Sequence, residues 1–337
     1  MTHFTIHVLG NVGVDLSMGP VGRLPTWGTE ILAGESVYRP GGAAVNVALA
    51  LAGLSRARRG LSLAELERSA GPAATSDGST PPEAPVRVYC TLGDDRDGKA
   101  LRDQLLRAGI PATGLELVAG ERTSLGLALV RADGERAFVT DLGALRRVDK
   151  AWALSRLGDA SGPGWLLATG MTLFPGLPPD ALAEVFRTAR ARGLMTALDT
   201  GWDVDDWPPA RVEAWREVLP AVDLFLPNES EAARLSGQDN PALAARALQK
   251  RSGGTVIVKT GTAGAWVATP HGAWMAPTEP LAVPDTTGAG DVFDAGVLYG
   301  LSLGWPVDRA VRLGHRLAGT VLQNRRSYFP SLAEVLA

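Results

Sequence analysis

Asp285-Thr286-Thr287-Gly288-Ala289-Gly290-Asp291-Val292-Phe293-Asp294-Ala295-Gly296 is the stretch on which the reading of this chain turns. Gly288 to Gly290 stand where a loop opens a helix that runs to about Leu303. The amides of a first helical turn have no partner within the helix, and the helix dipole adds roughly half a positive charge there. Glycine lets an anion approach that backbone closely. Gly288, Ala289 and Gly290 therefore predict an anion hole. Asp291 falls in the same turn. A carboxylate beside a phosphate site needs a task, and taking a proton from a hydroxyl that attacks phosphorus is the task that fits. Gly-x-Gly-Asp alone equally fits a plain glycine turn with a first-turn acid; the twelve-residue run as a whole favours the anion hole.

Upstream of this run, short β-type segments alternate with helical ones. Strands are expected at residues 4–10, 86–91, 165–169, 194–199, 222–227 and 255–260, and helices at 42–54, 99–108 and 180–192. That rhythm predicts βαβ units and a mostly parallel sheet with helices on both faces. Residues 14–39, and 125–131 with 136–141 around an Asp133-Gly134 turn, break the rhythm. They read as a small antiparallel unit standing off the main sheet. A second hairpin is expected from 265–269 and 273–276. Residues 55–85 read as an insertion, with a short helix at 61–70 and a mobile Gly/Pro/Ser/Thr loop after it.

Composition narrows the function. The chain has 337 residues, 45% apolar and 20% charged, enough to bury a substantial core. Its net charge of −3 leaves no basic excess to neutralise phosphates, which argues against nucleic acid as partner. The single cysteine, Cys90, excludes an intrachain disulfide and a cysteine-based zinc site. The four histidines are scattered and share no metal spacing. The longest near-apolar run, residues 43–54, is too short to span a bilayer and carries Asn46, and residues 1–8 have no signal-peptide pattern. A globular protein of the cytoplasm, with no membrane partner, is expected.

Several other residues carry candidate chemistry. Asn11 and Asp15 follow the first strand, where open parallel sheets bind ligands; an amide and a carboxylate can hold vicinal hydroxyls, or can simply shape a turn. Gly41 and Gly42 would let the chain pass close to a ligand. Asn46, the one amide in an apolar helix, either bonds local backbone or faces a hydroxyl. Asn228 and Glu231 share a helix start. They suit Mg²⁺ bound through its waters, and they equally suit a capping box. Gly261 and Gly264 after a strand suit a nucleotide near the backbone, and Lys259 either touches phosphate or is solvated.

Taken in order, Gly10-Asn11 with Asp15, Gly41-Gly42-Ala43-Ala44-Val45-Asn46, Gly93-Asp94-Asp95-Arg96-Asp97-Gly98, Asn228-Glu229-Ser230-Glu231, Lys259-Thr260-Gly261-Thr262-Ala263-Gly264 and the run 285–296 form a series. The chain resembles the ribokinase-like (PfkB) family of carbohydrate and nucleoside kinases over nearly its whole length. The resemblance implies a ribokinase-like α/β fold plus a small β-sheet lid. The main domain would comprise residues 1–13, 40–110 and 142–337, and the lid 14–39 and 111–141. It implies ATP and Mg²⁺ with a sugar acceptor. Asp291 would be the base and the 288–291 amides the anion hole. Asn11, Asp15, Gly41, Gly42 and Asn46 would bind substrate. Asn228, Lys259, Gly261, Gly264, Thr287, Gly288 and Gly290 would bind nucleotide, with Mg²⁺ near Asn228 and Glu231. A nucleoside acceptor is the alternative within the fold, and a non-catalytic binding protein the alternative outside it. A homodimer through the lid is a further implication. Asp285 and Thr287 match one side of the family's monovalent-cation loop, but Asn324-Arg325-Arg326-Ser327-Tyr328 departs from the other, so K⁺ is an open expectation. Asp294 stands where the family commonly has Asn. Gly170 and Met171 replace an acidic residue of ribokinases proper, which weakens ribose as the substrate.

Overall fold

The computed structural model describes residues 4–58, 86–132, 136–158, 160–281 and 286–323. The strands are β1 (Thr5–Gly10), β2 (Gly13–Val21), β3 (Glu35–Gly41), β4 (Val86–Gly93), β5 (Leu115–Val118), β6 (Ser124–Arg131) and β7 (Arg136–Asp141), then β8 (Gly164–Thr169), β9 (Leu194–Asp199), β10 (Leu224–Phe225), β11 (Thr255–Lys259), β12 (Ala265–Thr269) and β13 (Gly272–Ala276). The helices are α1 (Ala43–Arg58), α2 (Arg96–Arg107), α3 (Lys150–Arg156), α4 (Pro179–Ala191), α5 (Pro209–Val218), α6 (Glu229–Ser236), α7 (Pro241–Ser252), α8 (Ala289–Ser302) and α9 (Val307–Gln323).

Among the described residues the large sheet runs β13-β12-β11-β10-β9-β8-β1-β4-β5. It is parallel from β11 to β5, and the β12–β13 hairpin closes one edge antiparallel. Central strands of such a sheet are covered on both faces and read as continuous apolar runs. Accordingly, all six residues of β8 are buried. α1 is buried along Ala44, Val45, Val47, Ala48, Ala50, Leu51 and Leu54, and packs against α8, whose residues Val292 to Gly300 are buried.

The small sheet runs β3-β2-β6-β7. Two expectations need correction here. The unit is not wholly antiparallel: β2 pairs with β6 in parallel, because a crossover through the large sheet separates them. Leu115–Val118, expected within the lid at 111–141, pairs with β4 on the large sheet, so the small sheet's second half begins at Ser124. Leu115 sits opposite the buried Cys90, and burial there outweighs the affinity of an adjacent β-type run for the small sheet. The 61–70 helix, the mobile loop after it and the Asp133-Gly134 turn lie outside the described residues. Trp207 and Trp215 are core, whereas Trp202 is exposed.

Candidate active site

The C-terminal ends of β1, β9 and β11 and the N-termini of α1, α6 and α8 meet around one cavity system. Gly288 caps α8 with φ of +77°, a conformation that side chains avoid, and a Cβ there would come within 3.1 Å of Asn46 Nδ2. Asn46 Nδ2 donates to Asp291 Oδ2 at 2.8 Å. The nitrogen of the lone amide of α1 is therefore turned to the candidate base, across 245 residues of sequence.

The entry to α1 is built just as tightly. Asn11 Oδ1 accepts from Ala43 N at 3.1 Å, and its carbonyl accepts from Ala44 N. Gly42, with φ of +98°, passes so close to the Asn11 carbonyl that a side chain would collide. A side chain on Gly41 would overlap the Asp15 carboxylate. Asn11 thus serves the turn with its oxygen, the simpler of its two sequence readings. Asp15 is pushed upward by burial, against the pull of Arg39, its direct register partner on β3.

Asn228 and Glu231 form a reciprocal capping box on α6. Glu231 N donates to Asn228 Oδ1 at 2.9 Å, Asn228 N to Glu231 Oε2 at 3.0 Å, and Asn228 Nδ2 to Glu231 Oε1 at 2.7 Å. Glu231 is pushed up to about 7, by burial first and then by Asp199, with Lys259 opposing. Lys259 is neither solvated nor free. Its Nζ lies 3.1 Å from Asp199 Oδ2 and 3.2 and 3.1 Å from the two oxygens of Asp294. Burial alone would lower its proton affinity, but Asp199, Asp294 and Glu231 outweigh that and hold it protonated. Asp291 rises to about 6, by burial first and then Asp199, while Asn46 and Lys259 pull it down.

A cavity of about 570 Å³ opens beside these groups. Its lining includes Asn228, Glu231, Lys259 and the turn from Gly288 to Asp291, and also Gly261, Gly264, Phe293, Ala318 and Leu322. Such a lining offers both polar groups for phosphates and apolar surface for a ring. Among the described residues no three carboxylate, imidazole or thiol side chains stand together as metal ligands. Both Glu231 oxygens already accept from Asn228, so this donor set fits a divalent cation held mainly by phosphates and waters.

The structure thus brings Asp291, Asn46, Gly288, Ala289, Gly290, Asn228, Glu231, Lys259, Gly261 and Gly264 around one cavity mouth. Asn11, Asp15, Gly41 and Gly42 are grouped at the foot of the small sheet. Thr287 is half-buried beside Gly288; Asp285 and residues 324–328 lie outside the described residues. Two groups missed as site residues are Asp199 and Asp294. The signal for Asp294 was present: it is an acid inside the apolar run 292–300, and a buried acid requires a counter-charge.

The pfkB family carbohydrate kinase model matches residues 8–334. The chain is 28% identical over 302 residues to an ATP-dependent ribose-1-phosphate kinase of Halopiger xanaduensis, covering 90% of this chain and 86% of that one. It is 30% identical over 261 residues to a fructoselysine 6-kinase of Shigella flexneri, covering 71% and 87%. A ribokinase from Thermotoga maritima superposes with a TM-score of 0.75 at 22% identity, over 99% and 98% of the two chains. The fold and the family match agree along nearly the whole sequence, and the chain belongs to the PfkB family of carbohydrate kinases.

Proposed function

We propose that the protein transfers the γ-phosphoryl of ATP to a hydroxyl of a small carbohydrate, with Asp291 as general base. The observation that carries this reading is Asp291 itself, partly exposed in the first turn of α8, held by Asn46 and adjoining a cavity that suits a nucleotide. The Asp291 carboxylate takes the proton of the acceptor hydroxyl. That oxygen bonds to the γ-phosphorus as the bond to the bridging oxygen breaks, and ADP leaves. The amides of Gly288, Ala289, Gly290 and Asp291 hold charge on the transferring group, where preorganised donors act most strongly. Asn228 and Glu231 would hold Mg²⁺ through its waters, and the ion would supply positive charge at the phosphates. Asp15 and Asn46 orient the acceptor, and the small sheet acts as a lid that excludes water. Use of ATP favours the cytoplasm.

A nucleoside acceptor is the second reading, and register favours it at one point. Asp15, Ser17, Val37, Ala128 and Phe138 occupy one face of the small sheet, so an exposed aromatic ring shares the face of the acceptor-binding acid. Tyr38 lies on the other face and donates its hydroxyl to Asp97 at 2.6 Å. Trp27 stands fully exposed in the loop after β2.

The other face is apolar. Tyr38, Leu16, Leu127 and Val139 lie in one row across the four strands, and Met18, Leu129 and Ala137 in the next. Such a face fits a second copy of the chain, giving a homodimer through the lids.

ADP release measured across sugars, sugar acids and nucleosides tests the reading, with Asp291→Asn as control. Turnover of one acceptor by the wild type alone supports it. ATP binding with no turnover of any acceptor would favour a binding protein instead.

A further inference from the structure

Lys259 has three N–H donors and three acceptors: Asp199 Oδ2 and both oxygens of Asp294, all between 3.1 and 3.2 Å. The side chains of Asp294, Asp199 and Lys259 are 0%, 11% and 14% exposed. An ammonium so enclosed is not a mobile phosphate ligand. It lies directly beneath the anion-binding turn, since its Nζ is 3.5 Å from where a Cβ on Gly290 would stand. Asp294 follows Asp291 by three residues on the same helix, so tying Asp294 to the end of β11 also fixes the rotation of α8 about its axis.

The charges around Asp291 come from five elements. Asp15 approaches from β2, Asp199 from β9, Glu231 from α6, Lys259 from β11 and Asp294 from α8 itself. Asn46 faces it from α1 as a neutral donor. His315 of α9 lines the neighbouring cavity and is turned to the Ala276 carbonyl, and Arg39 acts on Asp15 from β3. Lys259 is thus the cation set among four acids. Burial, with Asp199 and Asp291 nearby, pushes Asp294 well above the usual carboxylate range, and the ammonium against both its oxygens is what opposes this and favours the carboxylate.

We propose that the Asp294–Lys259 pair is a positioning device for the reaction: it holds the first turn of α8 over β11, and its charge balance sets how readily Asp291 accepts the proton. The proposal rests on Asp291 being the base, and goes beyond that reading in assigning a role to Lys259, which borders the cavity, and to Asp294, which does not line it. It also accounts for an acid at 294 rather than Asn. A buried acid needs a counter-charge, and the Lys259 ammonium in contact with both its oxygens supplies one.

The test is a titration of the Asp291 carboxyl by ¹³C NMR on protein labelled at aspartate carboxyl carbons, the signal being assigned by its loss in Asp291→Asn. In Lys259→Met the midpoint is expected to rise by about one pH unit, and in Asp294→Asn to fall by about as much, as for a unit charge several ångströms away at an effective dielectric near 20. The acid limb of kcat/KM should move in the same two directions for an acceptor identified by the panel. A packing defect has no reason to shift the two variants oppositely. Unchanged midpoints, or shifts of the same sign, overturn the proposal. If Lys259→Met does not fold, Asp294→Asn, which keeps the Lys259–Asp199 pair, decides alone. If no acceptor is phosphorylated, the kinase chemistry fails while the NMR shifts still judge the charge coupling.

Discussion

Asp291 is a carboxylate whose surroundings make it a better base than an exposed aspartate. Burial and the neighbouring Asp199 lift it to about 6. In the proposed reaction the ionised form is the active one, so kcat/KM is expected to fall below about pH 6 as Asp291 takes a proton, and to be flat just above it; a pH–rate profile checks this. Asp291→Asn should lower kcat by about 10²- to 10⁴-fold, the usual worth of a general base, while ATP still binds by calorimetry. The same lifted affinity has a cost in stability. A carboxyl that binds protons more tightly folded than unfolded favours folding at low pH, and this advantage is lost as pH rises from about 4 to about 6. Asp291→Asn should therefore melt higher than wild type at pH 8, and the difference should shrink towards pH 4. Asp291 was legible from its place after Gly-x-Gly. Its partners were not: Asn46 looked the same whether it served local backbone or a distant acid, and Lys259 whether it was solvated or buried.

At the scale of elements, α8 and α9 pack through glycine. A Cβ on Gly296 would lie 2.7 Å from Gly314 Cα, and Phe293 meets His315 across the same seam with ring centroids 5.0 Å apart. Gly296→Val should push the helices apart and cost about 1–3 kcal/mol, as overpacking generally does, read from the urea midpoint. Because α8 carries the turn proposed to bind the phosphates, the same variant should also weaken ATP binding. The buried positions of α9, Ala310, Val311, Leu313, Gly314 and Leu317, recur at helical spacing. That helix, like α5 and α7, carries no chemical motif, and its periodicity alone marks it in the sequence. The strand expected at 222–227 shrank to Leu224–Phe225, since residues 219–221 form a 3₁₀ turn and Asn228 opens a helix.

The whole molecule is a large covered sheet and a small sheet that exposes Phe138 on one face and Val139 on the other. Register puts Asp15, Arg39, Thr140 and Phe138 on one face and Leu16, Leu127 and Val139 on the other; in the proposed function the first serves the acceptor and the second a second chain. Val139→Glu, on an exposed site of the apolar face, should halve the mass seen by sedimentation at micromolar concentration. An unchanged mass would overturn the proposed interface. Phe138→Ser should leave the mass unchanged and, for a nucleoside acceptor, raise KM several-fold with little effect on kcat.

The chain itself determined the alternation of strands and helices, the glycine turn before α8 and the candidate base, because these depend on local periodicity and on conformations that few residues tolerate. It also determined Asn228 and Glu231 as a pair three residues apart, without choosing between cap and metal ligand; the geometry shows the cap. Tertiary structure decided which charges meet. Lys259, Asp199 and Asp294 lie up to 95 residues apart in sequence, as Asp199 and Asp294 do. Their meeting follows from parallel strands that deliver the C-terminal ends of β9 and β11 to one edge and from a helix packed across them, a juxtaposition no single segment encodes. The two faces of the small sheet belong to the same class of fact, since only strand register tells which of two successive residues looks inward.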